Sequence, residues 1–452
     1  MKIRMTAFQA ERIFELLYPG DSLEAACLAI CGRAGSKEEE ILLVKEIIEI
    51  PLDQCERSET HVDWSTDILE PLMDILDTTD QALIKLHSHP SGYDQFSRYD
   101  DQSDKDVFGS IFSYTEKTRP HASMIMLPNK HFLVRLVTSK LEFVEPVSVS
   151  IIGDDINIQL FEGILGFDSE INLRNEQTLG KGTMTLLSNL TIGVVGCSGT
   201  GSIVIELLSR LGVGKLILID PDKVEHKNLN RIVNSRFVDA EVPSYKVDII
   251  AKAILQNGLS TAVEVFQENI ESKNVLKALS KSDIVFGCVD TAVGRYYMNW
   301  LSTYYIIPLF DIGVGIDLVP NSTQINTIDC AVNYIQPGES LSQRKVFTSQ
   351  ELADEELKVS DPVMYRQKVN DGYIIDVESP AVISINSSIS SIAVNEFLSR
   401  IHSIKPFSNA NYNKLNLSLT EFELDQYYED GFTKRFKNKI GFGDQEKMLG
   451  VL

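Results

Sequence analysis

The stretch LTIGVVGCSGTGSIVIELLSRLGVGKLILIDPD, residues 190–222, decides the fold of the larger part of this 452-residue chain. An apolar run, a glycine turn, a segment with helical apolar spacing and a second apolar run ending in an acid read as strand, turn, helix, strand. Gly196, Gly199 and Gly201 stand where the first strand gives way to the helix. Glycines at that point let the backbone approach a phosphate at the helix N-terminus. Asp220, at the end of the second strand, is placed to accept ribose hydroxyls. Up to here a dehydrogenase fits as well. Further apolar runs, VEVFQ, DIVFGCVD and IPLFDIGVG, alternate with helical stretches, which predicts an α/β architecture with a doubly wound parallel sheet.

The residues after Asp220 point away from hydride transfer. The segment DPDKVEHKNLNRIVNS holds Asp222, Glu225, Asn228, Asn230 and Arg231, and Lys246 comes next in PSYKVDIIAKAI. Cations here stabilise a pyramidal α-phosphate and a leaving pyrophosphate. Asp290, at the tip of DIVFGCVD, is a hard carboxylate suited to Mg²⁺. Arg231 or Lys246 alone reads as a solvated surface charge; together with the glycines and acids they read as a phosphate clamp. The set resembles the ATP-dependent adenylating domain of the ubiquitin-activating and ThiF/MoeB family over roughly residues 160–400. The resemblance implies that Gly196, Gly199 and Gly201 line the phosphates of ATP and that Asp220 meets the ribose. It assigns Asn228, Arg231 and Lys246 to the triphosphate, with Arg231 and Lys246 catalytic, Asp222 to the cofactor site, and Asp290 to magnesium. Arg174, in LRNEQTLG, matches the arginine that members extend into a nucleotide site across a homodimer interface, although Asn175 stands after it where Gln is usual. Two departures stand out. Ser340 and Ser342 occupy a segment where many members carry zinc-binding cysteines, and residues 331–452 contain no cysteine for a thioester. Cys330, in an apolar run, reads as a buried strand residue, so an acyl-adenylate handed directly to an acceptor is expected.

A second constellation lies upstream, in HSHPSGYDQFSRYD, residues 87–100. His87 and His89 alternate at the end of a strand, so both imidazoles point to one side. Asp100 supplies a carboxylate that a returning loop brings to the same metal, with Asp104 as the second choice. Two imidazoles and one carboxylate leave a fourth position of Zn²⁺ open, the catalytic arrangement. Glu24, which opens the apolar run EAACLAICG, is the candidate base. The spacing H-x-H-x(7)-S-x-x-D with an upstream Glu resembles the JAMM (JAB/MPN) metalloproteases, over about 140 residues. That resemblance implies His87, His89 and Asp100 as zinc ligands, Glu24 as the water activator and Ser97 as a support for the tetrahedral intermediate.

Composition sets the outer limits. The chain is 43% apolar and 23% charged, with 64 acids against 42 bases and a net charge of −22. Such a surface repels nucleic acid and anionic membranes. Six cysteines without a C-x-x-C pair, and an amino-terminal stretch MKIRMTAFQAERIFELLYPG that reads as an amphipathic helix rather than a signal peptide, predict a reduced, cytoplasmic protein. The expected organisation is an α+β JAB/MPN domain over 1–150, a Rossmann-like adenylation domain over 151–405 and an uninformative tail over 406–452. Residues 139–159 read as a linker, and 340–375 as acidic and irregular. Together the two resemblances imply a bifunctional enzyme of a bacterial ubiquitin-like conjugation system, several of which serve in phage defence. Its partners would be a ubiquitin-like protein and a conjugating enzyme. Processing of a sulfur carrier, and a dimeric scaffold with only the protease active, are the alternatives.

Overall fold

The computed structural model describes residues 1–36, 39–161, 165–168, 170–319, 324–371, 374, 381–402 and 404–450. The chain divides into two compact units. One comprises Met1–Ile164 with Tyr304–Ile306 and Ile440–Gly450; the other comprises Leu165–Thr303 and Ile307–Lys439.

The first unit runs β1 (Lys2–Thr6), α1 (Ala7–Leu17), β2 (Ala26–Ala34), β3 (Ile41–Glu49), β4 (Cys55–Arg57), β5 (Val62–Trp64), α2 (Glu70–Thr78), β6 (Ala82–Ser88), α3 (Arg98–Thr115), β7 (His121–Met126), β8 (Phe132–Val137), β9 (Phe143–Val144), β10 (Ser148–Ile152) and β11 (Ile156–Leu160). Nine of these strands form one mixed sheet in the order β11-β10-β1-β3-β2-β6-β7-β8-β9, and β4 and β5 pair as a separate ribbon. Strand alternation sorts the core onto two faces. Cys27, Ala29 and Cys31 of β2 pack with Ile84 and Leu86 of β6 and Ile13 and Leu17 of α1. Ala26, Leu28 and Ile30 pack on the other face with Leu83, Leu72 and Leu76 of α2, and Val107, Phe108 and Ile111 of α3. Lys85 and His87 share the Leu83 face of β6, beneath α3.

Two expectations are corrected here. The amino-terminal stretch is not helical throughout: Lys2–Thr6 is a strand, parallel to β3 and β10. A capping box between Thr6 and Gln9 starts the helix only afterwards. Residues 139–159 are not a linker, since β9, β10 and most of β11 fall within them. The serines of SVSII, buried at Ser148 and Ser150, mask the apolar alternation that marks a strand.

The second unit runs α4 (Leu173–Asn189), β12 (Thr191–Val195), α5 (Gly199–Arg210), β13 (Lys215–Ile219), α6 (Phe237–Glu241), α7 (Lys246–Gln256), β14 (Ala262–Phe266), α8 (Lys273–Leu279), β15 (Ile284–Gly287), α9 (Ala292–Tyr305), β16 (Leu309–Leu318), β17 (Ile325–Ile335), α10 (Ser349–Ser360), α11 (Pro362–Asn370), α12 (Ile383–Ile401), β18 (Lys414–Ser418), β19 (Glu423–Tyr427) and α13 (Lys434–Lys437). Its sheet has the order β14-β13-β12-β15-β16-β17-β18-β19. The pairs from β14 to β16 are parallel and those from β16 to β19 antiparallel. Strand order reverses at β12, so the switch point, where ligands bind in open α/β sheets, lies at the carboxyl ends of β12, β13 and β15. Gly196, Asp220 and Cys288–Asp290 are the residues that leave those three ends.

The described part of 340–375 is largely helical, contrary to expectation; residues 372, 373 and 375 lie outside the described residues. Thr348 and Glu351 form a capping box at the start of α10, and Asp361 with Pro362 starts α11. No residue of α10 is buried, which is why no apolar stripe marks it in the sequence. No helix among the described residues is long and apolar enough to cross a membrane.

Candidate functional site

In the first unit, two separate segments bring Glu24, His87 and His89 together, and Asp100, from a third, completes the group. The two Nε2 atoms are 3.2 Å apart. Asp100 Oδ1 lies 3.1 Å from His87 Nε2, and Glu24 Oε1 lies 3.8 Å from His89 Nε2. His89 Nδ1 is 2.7 Å from the carbonyl oxygen of Tyr93. It therefore carries the proton, and Nε2 turns a lone pair inward. Two imidazole nitrogens and a carboxylate oxygen fit a tetrahedral zinc ion with one position open.

Asp100 comes not from a returning loop but from the first turn of α3. The S-x-x-D spacing is the spacing of a capping box: Asp100 N–H donates to Ser97 Oγ (3.1 Å) and Ser97 N–H to Asp100 Oδ2 (2.6 Å). One carboxylate oxygen thus caps the helix while the other faces His87. Burial would raise the Asp100 carboxyl, but His87 and Ser97 outweigh it and hold it well below the usual carboxylate range. Burial pushes the Glu24 carboxyl up to about 8, with the Asp100 charge adding to it. Burial also lowers His87, against the pull of Asp100. Asp104 is no ligand, because Lys85 and Arg135 occupy both of its oxygens. Arg57 of β4 had no signal in the sequence; it donates to the Glu24 carbonyl (2.7 Å) and forks onto Asp21.

In the second unit, the glycine turn leaves β12 into α5, whose N-cap, Ser198, makes no side-chain capping bond. Gly196 has φ +89°, and a Cβ there would come 2.5 Å from the Cys288 carbonyl oxygen. A Cβ at Gly201 would overlap the Gly196 carbonyl, and one at Gly199 would overlap the Asn386 amide of α12. The turn itself therefore needs glycine at 196 and 201, where backbone stands in the way, whereas at Gly199 the neighbour is the end of a side chain.

Asp220 is buried below the turn, accepting from Cys197 N–H (2.7 Å) and Asp222 N–H (2.9 Å). Burial raises its carboxyl, against the pull of Lys246. Lys246, the first residue of α7, sets its Nζ 2.7 Å from Asp222 and 3.5 Å from Asp220. Arg231 donates to the Lys227 carbonyl (2.8 Å), and its Cδ would lie 3.3 Å from a Cβ on Gly199. Asn228 is buried, its side chain taken by the Glu225 amide (3.0 Å). Asp290 is exposed just beyond the carbonyl that abuts Gly196. Arg174 stands apart: it is exposed on α4 and donates to Gln177.

A cavity of about 270 Å³ in this unit is lined by Arg295, Asp311, Cys330, Asn333 and Lys414 among others. Nothing in the sequence marked it, because its walls come from four separate elements. Cys330 is 1% exposed, and burial pushes its thiol up to about 11. All six cysteines are free.

Over 162 residues the chain is 29% identical to ubiquitin-like modifier-activating enzyme 5 of Drosophila willistoni, covering 33% of this chain and 37% of that protein. Over 163 residues it is 31% identical to the Xenopus laevis protein of the same name, covering 34% and 39%. The match thus spans well under half of these relatives. Among solved structures, E. coli MccB with MccA-N7isoASN aligns at a TM-score of 0.46 and 18% identity, covering 60% of this chain and 77% of that one. The ThiF family model matches residues 172–429. That is more than half of the chain and takes in the whole glycine turn and its cations, and the chain belongs to the ThiF family.

Proposed function

We propose that the second unit adenylates the C-terminal carboxylate of a ubiquitin-like protein with ATP, and that the first is a JAMM-type zinc peptidase that cuts such a protein from a precursor or conjugate. One observation carries the reading: in each unit, side chains far apart in sequence converge where that chemistry needs them. Glu24, His87, His89 and Asp100 do so in the first unit, and Lys246, Asp220 and Arg231 do so about the glycine turn in the second.

In the adenylation step, a carboxylate oxygen attacks the α-phosphorus and the bond to the bridging oxygen breaks, releasing pyrophosphate. Amides at the α5 N-terminus hold phosphate oxygens. Lys246 and Arg231 face the charge that develops on them. Lys246 is available because its closest partner, Asp222, is 66% exposed. Lys246 is itself buried and keeps its second partner, Asp220, at 3.5 Å, so a triphosphate would displace only the solvent-facing Asp222 end of the pair. Asp290 would hold Mg²⁺, which neutralises phosphate charge when bound. Arg174, outside this chain's own site, would serve a second copy of the protein.

In the peptidase, His87, His89 and Asp100 would hold zinc, which when bound supplies a Lewis acid for the scissile carbonyl. Glu24 takes a proton from the attacking water and returns it to the leaving amine. The Ser97 hydroxyl, already accepting the Asp100 amide, keeps its own proton free to donate to the substrate oxygen.

The test is ATP–pyrophosphate exchange with ubiquitin-like proteins ending in glycine, run beside a zinc analysis. Lys246→Ala should cut exchange by about 10²–10³-fold, and His87→Ala should remove the zinc. Exchange indifferent to Lys246→Ala would overturn the adenylation reading, and a zinc-free wild-type protein the peptidase reading.

A further inference from the structure

Beneath the His87–His89–Asp100 group lies a buried ion network that touches none of its inward-facing atoms. Lys85 is two residues before His87 on β6, and Asp104 is one helical turn after Asp100 on α3. Two residues of strand span about 6.6 Å and four of helix about 6 Å, so the elements can pair rung for rung. They do: His87 faces Asp100 at 3.1 Å, and Lys85 faces Asp104 at 2.8 Å. Lys85 also donates to Ser103 Oγ at 2.7 Å. From β8, Arg135 donates to the second Asp104 oxygen through Nε (2.9 Å) and Nη2 (2.7 Å), and pairs with Asp101. Its guanidinium lies between the rings of Phe96 and Phe143, 3.9 and 3.8 Å from their centroids. Phe96 immediately precedes Ser97.

A purely stabilising role explains this poorly. Lys85, Asp104 and Arg135 are 4%, 0% and 6% exposed, and a buried ion pair rarely outperforms apolar residues of the same volume. What it does supply is register. An apolar contact lets α3 slide or rotate on the sheet, whereas a carboxylate fixed by three donors permits one setting. That setting brings Asp100 to His87 and His89.

We propose that Lys85, Asp104 and Arg135 are positioning residues for the metal centre, locking α3 against β6 so that the third ligand meets the two imidazoles. The proposal rests on the zinc reading above and concerns only groups outside the ligand set. Metal sites lose about 10–100-fold in affinity when groups hydrogen-bonded directly to the ligands are removed, which sets the upper bound for a network one step further out.

The test replaces the network by apolar residues, Lys85→Met/Asp104→Leu/Arg135→Met in the full chain, leaving no buried charge unpaired. Zinc affinity is measured by competition with a chromophoric chelator, geometry by the visible spectrum of the Co²⁺ form, and folding by thermal melting. The expected result is a melting temperature close to wild type, zinc affinity lower by about 10-fold and by no more than about 100-fold, and a Co²⁺ spectrum of reduced intensity. Should the triple variant not fold, Arg135→Lys keeps the charge but loses the fork, and several-fold weaker zinc binding is expected. Wild-type affinity and spectrum in a folded variant overturn the proposal. A wild-type chain that binds no zinc overturns it as well, but shows itself in the first titration, before any variant is compared.

Discussion

The two candidate centres are built on opposite principles. In the first unit every inward-facing group is buried: Glu24, His87, His89 and Asp100 are between 2% and 7% exposed. Three of the four are tied down by a second contact, Glu24 by Arg57 on its carbonyl, His89 by the Tyr93 carbonyl and Asp100 by Ser97, while His87 Nδ1 is buried without a hydrogen-bond partner among the described residues. In the second unit the buried Asp220 and Asn228 are spent on the protein's own amides and the buried Lys246 on Asp220 and Asp222, while Asp222, Asp290 and Arg174 face solvent. The first centre has its four groups gathered before anything binds; the second holds Lys246 in pairs with Asp220 and Asp222 that a bound polyanion would have to compete with. Preorganised groups in a dry site act strongly and tolerate no substitution. Exchangeable groups at an open site each carry less.

The largest expected effect therefore belongs to the first centre. Glu24→Gln keeps the shape and the Arg57 contact, which is to the backbone, but cannot accept a proton. Cleavage of a ubiquitin-like fusion should fall by about 10²–10⁴-fold, while zinc content stays that of the wild type. Normal cutting by Glu24→Gln would assign the base elsewhere and remove the sharpest contrast between the centres.

A smaller effect is expected at the glycine turn, where the backbone rather than a side chain is the functional part. Gly201→Ala sets a methyl group against the Gly196 carbonyl, with Cys288 Cβ 3.3 Å away. Backbone must move to admit it, at a cost of about 1–3 kcal/mol, and the turn that moves is the one proposed to hold phosphate. Pyrophosphate exchange should drop roughly 10- to 100-fold, as that range of energy implies, with a lower melting temperature. Gly182→Ala in α4 is the control, since open space surrounds it and alanine favours a helix by about 0.5–1 kcal/mol. If both variants exchange alike, the turn is not under the constraint its geometry implies.

The same contrast explains what the sequence made readable. The glycine turn, Asp220 and the parallel strands follow local periodicity, and His87 with His89 follows from strand alternation alone. Asp100 was legible by spacing, but its origin was not: S-x-x-D looks like a loop until it is seen to be a capping box that starts α3. Lys85 and Arg135 carried no signal, because a lone cation in an apolar run looks like an exposed residue and its partners come from another element. The helical 349–370 segment was hidden for the opposite reason, having almost no buried face from which to read a period. The amino-terminal strand was obscured by Arg4, a buried cation whose partner, the Tyr305 carbonyl, is 301 residues away.

The smallest effect should come from Cys330, the residue that would most blur the distinction if it acted as a nucleophile. It lies on β17 opposite Val314 of β16 and Leu417 of β18. Burial, with the Asp329 charge adding, pushes its thiol up to about 11, so at neutral pH it stays protonated and a weak nucleophile. A hydroxyl buried in its place without a partner costs about 1–3 kcal/mol, so Cys330→Ser should lower stability by no more than that. Exchange should stay within about twofold of wild type, far from the losses that mark groups acting in the transition state. The decisive readout is a non-reducing gel after incubation with ATP and the ubiquitin-like protein. A thiol-sensitive adduct present in wild type and absent in Cys330→Ser would make the cavity an acyl-transfer site, and the second centre would then hold a buried, preorganised group of its own.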